Sequence, residues 1–99
     1  MENELILLSD FLENTGADAD FVFLLEQEGL IDTEIRNQTK YLLHSQINDL
    51  QRFIHLHDDL SINVEGIDVI NNLLCRMREM DEEIAELRRK IRLFDDFSI

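Results

Sequence analysis

The sequence predicts a mainly α-helical fold: a helix-turn-helix head with a short β-hairpin wing, followed by one long C-terminal coiled-coil helix. Three observations predict it. Two short amphipathic segments flank the turn Thr15-Gly16-Ala17, a stretch rich in Ile, Thr and Tyr follows, and from Ile70 onward apolar residues recur at heptad spacing. At 99 residues, 44% hydrophobic and 31% charged, the chain has the size and composition of one folded domain rather than of a disordered segment.

Glu4 to Leu8 is a short apolar run, readable as a strand or as the lead into the first helix. Ser9 offers a hydroxyl to cap a short helix ending near Asn14. Asp18 caps a second helix with Phe21, Leu24 and Leu25 at helical spacing, and Gly29 suits the left-handed residue that stops it. Between Leu30 and Leu42, Ile31, Thr33, Ile35, Thr39 and Tyr41 surround the turn-prone Arg36-Asn37-Gln38, which predicts a β-hairpin or an extended loop. Ser45 then caps a third helix with Ile47, Leu50, Phe53, Ile54 and Leu60 on one face, and Asn63 begins the last. Residues 1–62 are therefore the head and 63–99 the coiled-coil helix, within one continuous domain.

In that last helix Ile70, Leu73, Met77, Met80, Ile84, Leu87, Ile91 and Phe94 alternate spacings of 3 and 4. A 3.5-residue period sustained this long is the seam along which two helices supercoil. From Val64 to Phe94 the helix spans about 46 Å, whereas a compact 100-residue domain has a radius of gyration of about 13 Å. The head cannot cover it all. A second copy of the chain is the expected cover for Met77, Met80, Ile84, Leu87, Ile91 and Phe94, since each left in water forgoes roughly 1.5–3 kcal/mol of burial; fold-back and a foreign helix are the alternatives. With Ile70 at position a, the g and e pairs Arg76 with Asp81, Glu83 with Arg88 and Lys90 with Asp95 are of opposite sign, which suits a parallel pair.

Charge is the strongest constraint on function. Twenty-two acids against nine bases give −13, and residues 1–35 hold ten of the acids without one Lys or Arg. Nucleic acid would be repelled, because its binding depends on cations displacing phosphate counterions. A basic protein surface would be attracted. The acids Asp18, Asp20, Glu26 and Glu28 are the candidate partner-binding face, although Asp18 and Asp20 also suit a helix N-terminus for structural reasons.

Signals of other chemistry are weak. His55 and His57 are two residues apart and point in different directions on a helix, so no metal site is expected. The acidic clusters Asp58-Asp59, Asp81-Glu82-Glu83 and Asp95-Asp96 lack the spacing of a calcium loop. Neither a G-x-S-x-G elbow nor a phosphate-cradling glycine loop is present, so neither an enzyme nor a bound cofactor is expected. The lone Cys75 allows no internal disulfide and fits a reducing compartment. Apolar runs such as Leu5–Leu8 and Phe21–Leu25 fall far below the roughly 20 residues that cross a bilayer. A cytoplasmic protein with no membrane partner is expected.

The order of elements resembles a MerR-type winged helix, and within that superfamily the chaperone-modulator proteins of the CbpM type. The resemblance is carried by FLENTG at Phe11 to Gly16, LLEQEGLI at Leu24 to Ile31, LQRFIHLHDDLSIN at Leu50 to Asn63 and EGIDVINNLL at Glu65 to Leu74. It covers most of the chain, mainly at scaffold positions. What it implies is a small bacterial protein that binds the basic J-domain of a DnaJ- or CbpA-type co-chaperone and blocks its stimulation of DnaK. It also implies an antiparallel helix pair, against the parallel reading of the charges. The alternative is a MerR-like DNA-binding transcriptional regulator. Such a relative presents Arg and Lys on its second helix and wing, whereas this second helix shows acids. The Pro and Arg of the family after GLI are also missing, Ile31 being followed by Asp32-Thr33-Glu34.

Overall fold

The computed structural model describes residues 4–97. Its first strand, β1 (Leu5–Leu7), runs directly into α1 (Leu8–Thr15), and α2 (Ala19–Gln27) follows a short turn. Strands β2 (Thr33–Arg36) and β3 (Thr39–Leu43) form the hairpin; a 3-10 turn (His44–Gln46) leads into α3 (Ile47–Leu60) and then α4 (Val64–Phe97). The fold is mainly helical, with a helix-turn-helix, a wing and a long last helix, as the spacing predicts.

The ambiguous Glu4–Leu8 run is a strand. It pairs antiparallel with β3, Leu5 opposite Leu43 and Leu7 opposite Tyr41, so the wing is a three-stranded sheet in the order β1-β3-β2. Asn37 and Gln38 make the hairpin turn with φ of 50° and 64°. Two consecutive positive φ values define the I′ type, whose twist matches that of the flanking strands.

Local chemistry accounts for the helix ends. Asp18 Oδ1 accepts the Asp20 backbone N–H at 2.9 Å and so caps α2. Gly29, at φ 76°, ends it, with the Leu30 N–H returning to the Leu25 carbonyl at 2.9 Å. Asn63 Oδ1 accepts the Gly66 N–H at 2.9 Å at the start of α4. Two expected caps are corrected. Helix α1 begins at Leu8, before Ser9, with no side-chain cap, because Leu8 enters at once to pack with Phe11 and Leu12 against the core. Ser45 lies in the 3-10 turn, and α3 starts at Ile47 without a capping side chain. The neighbouring Gln46 instead accepts the Asp32 N–H at 2.7 Å and ties that turn to the start of the wing.

The core joins Phe11 of α1, Phe21, Val22 and Leu25 of α2, Ile31, Leu42, Leu50 and Phe53 of α3, and Val64 and Ile67 of α4. Two residues assigned to inward faces point outward: Leu60, the last residue of α3, and Leu24, 47% exposed, whose place in the core is taken by Val22. Since Val64 and Ile67 complete the core, the division between the two units of the chain falls within α4, after Asp68.

Candidate protein-binding cleft

Helix α2 turns Phe21, Val22 and Leu25 inward and leaves Asp20, Phe23, Leu24, Gln27 and Glu28 exposed. Along one side of α2 the surface opens into a cleft of about 250 Å³, bounded by α2, by His57 of α3 and by the start of α4. Its apolar lining is Phe21, Leu24 and Val64. Four carboxylates stand around it: Asp18 and Asp20 at the start of α2, Glu28 just beyond its end, and Glu65 in the first turn of α4. Three of the four acids singled out from the sequence thus meet at one place.

Glu26 does not line this cleft. Its carboxylate accepts a hydrogen bond from Lys40 Nζ at 2.8 Å and another from the Thr33 hydroxyl, joining α2 to the wing. Those bonds, led by that from Lys40, hold its carboxyl below the ordinary glutamate value against the opposing effect of burial. The Lys40 ammonium also lies 5.4 Å from the centroid of the half-exposed Phe23 ring.

Cations are scarce in this region and already engaged. Residues 1–68 contain fifteen acids and three Lys or Arg. Besides Lys40, Arg36 pairs with Glu34 at 3.0 Å and Arg52 with Asp49 at 3.3 Å. Among the described residues, no cation pairs with Asp20, Glu28 or Glu65. The histidines have separate structural tasks. His57 stacks on Phe21, ring centroids 4.1 Å apart and planes 10° from parallel, and its Nδ1 lies 3.0 Å from the Ile62 carbonyl oxygen. His55 pairs with Asp59 one turn along α3.

Sequence spacing did not reveal the part played by Leu24, Val64, Glu65 and His57. Leu24 has the periodicity of a core residue, and the others lie more than thirty residues away in the chain. The available signal was the adjacent pair Phe23-Leu24, since a stripe cannot bury two neighbours as well as Phe21, Val22 and Leu25.

The second candidate surface is the seam of α4. Leu73, Met77, Met80, Ile84, Leu87, Ile91 and Phe94 are between 46% and 74% exposed in the single chain. No helix among the described residues is long and apolar enough to cross a membrane.

A helix-turn-helix whose second helix abuts a small antiparallel sheet, with a long helix following, defines the winged helix-turn-helix class. The chain matches the family described as MerR HTH family regulatory protein over residues 6–89, and it belongs to that family. The comparisons with curated proteins and with solved structures returned no match.

Proposed function

We propose that this MerR-like protein is a non-enzymatic modulator that binds the basic J-domain of a DnaJ- or CbpA-type co-chaperone and inhibits its stimulation of DnaK. The supporting observation is the reversed charge of α2. In a DNA-binding helix-turn-helix the second helix enters the major groove and its environs are cationic. Here that helix exposes Asp20, Phe23 and Leu24, Glu28 stands exposed just past its end, and the nearby Lys40 is occupied by Glu26. Exposed aromatic and aliphatic side chains amid carboxylates suit a basic polypeptide, which can offer both charge and apolar contact. The choice of a J-domain rests on the CbpM-type resemblance. A cytoplasmic setting goes with it, as does a homodimer joined through Met77, Met80, Ile84, Leu87, Ile91 and Phe94.

Titration into a CbpA-type J-domain at rising salt tests this reading. Binding that weakens as salt screens the charges is expected; the absence of binding removes the partner, and salt-independent binding removes the electrostatic mechanism. The family description favours a second reading, a DNA-binding transcriptional regulator. Retardation of random duplex DNA by sub-micromolar protein at low salt would establish it in place of the first.

A further inference from the structure

We infer that the cleft between α2 and the start of α4 is a receptor for one long cationic side chain, an arginine, from the basic partner. The inference rests on the basic-partner reading above for who supplies the arginine and on the cleft alone for the chemistry. At about 250 Å³ the space lies below the roughly 300–1,000 Å³ of pockets that take drug-sized ligands. It suits a single side chain. Leu24, half exposed, and the edges of Phe21 and Val64 offer an apolar lining for an alkyl stem, while the rim offers acceptors for the charged end, Asp18 and Asp20 at one end of α2 and Glu28 at the other, with Glu65 across from them on α4.

Polarity follows from the magnitudes. Two helix N-termini, those of α2 and α4, adjoin the cleft and bring about half a positive charge each. Four carboxylates oppose them, and Asp18 and Asn63 already satisfy backbone N–H groups there with their side chains. The balance is negative, so an anion is excluded. His57 Nδ1 donates to the Ile62 carbonyl oxygen at 3.0 Å, which with the stacking on Phe21 fixes the ring at the cleft wall. Arginine fits this set better than lysine, because its planar fork presents several donors at once to separate carboxylates and its guanidinium tolerates an apolar wall.

The test uses n-butylguanidinium, an arginine side chain without its backbone, titrated into the intact protein and followed by amide NMR. Shifts confined to Phe21, Leu24, Val64 and Glu65 and their neighbours are expected. Plain guanidinium at equal ionic strength should bind at least threefold more weakly because it lacks the stem. Equal responses to the two ions, or shifts spread over Glu13, Asp32 and Asp58, overturn the inference. Leu24→Ser and Glu28→Gln should each weaken butylguanidinium binding at least threefold, and the second, at an exposed position, keeps the test intact if the first unfolds. The same variants are then titrated with the J-domain. Undiminished J-domain binding overturns the cleft while leaving the partner in place; localised butylguanidinium binding without any J-domain binding upholds the cleft and removes that partner.

Discussion

Glu26 links stability to pH through a single carboxylate. Its pKa is lowered in the folded protein, so the unfolded chain binds the proton more readily and acid favours unfolding. The contribution is complete above the unfolded value, near 4.3 for Glu, and is lost as pH falls through the lower folded value. Lys40 is partly exposed, which limits the pair to about 1 kcal/mol. Denaturant titrations of the wild type and Glu26→Gln should therefore differ by about that amount at neutral pH and converge in acid. Gly66 makes an opposite kind of demand. A Cβ there would lie 2.8 Å from Ile62 Cγ2 and 3.1 Å from the capping Asn63 Oδ1. Alanine ordinarily gains about 1 kcal/mol over glycine inside a helix, but overpacking costs about 1–3 kcal/mol. Gly66→Ala should lower stability by about 1 kcal/mol, read as a reduced midpoint of chemical unfolding. At Gln38, by contrast, the left-handed backbone calls for glycine, and Gln38→Gly should raise stability by about 0.5–1 kcal/mol.

At the level of elements, α4 carries the heptad pattern on which the proposed homodimer rests. A parallel dimer would match all three of its opposite-sign flanking pairs, an antiparallel one two. In an antiparallel pair centred between Ile84 and Leu87, Met77 meets Phe94 of the second copy, Met80 meets Ile91 and Ile84 meets Leu87. Glu83 then flanks Lys90, and Asp81 flanks Arg88. Under the proposed homodimer, the charge of the heads favours the antiparallel arrangement. A parallel pair brings both heads, each with fifteen acids against three bases, to the same end of the coiled coil, whereas an antiparallel pair starts them from opposite ends. In a Cys75→Ser background, Met80→Cys should oxidise efficiently when mixed with Ile91→Cys and poorly by itself. Self-linking of Met80→Cys would establish the parallel pair. Ile84→Asp should give a monomer in sedimentation, because an unpaired carboxylate in the seam is strongly unfavourable.

For the whole molecule, the proposed function makes the division of charge testable. The head holds most of the net −13, while residues 69–99 carry seven acids and six bases and are nearly neutral. If the proposed function holds, raising the ionic strength should weaken capture of a basic partner by the head far more than self-association through the apolar seam. Parallel salt series of J-domain titration and of sedimentation would separate the two, and equal sensitivity would contradict the assignment of the two surfaces.

Most elements were legible in the sequence because their signals are local. Thr15-Gly16-Ala17 separates two helices, Asp18 and Gly29 bracket the second, Asn37-Gln38 turns the hairpin, and the heptads extend α4. A capping oxygen, a positive φ or a 3.5-residue period acts over a few residues, so the chain alone determined these, together with the acidic character of the head. Only the tertiary structure decided that Leu5–Leu7 joins β3, that Ser9 and Ser45 do not cap, that Leu24 and Leu60 face solvent, and that Glu28 and Glu65 stand at one cleft while Glu26 bonds Lys40. Those outcomes depend on which distant side chains compete for a limited core, and that competition is resolved only when all the helices and strands pack together.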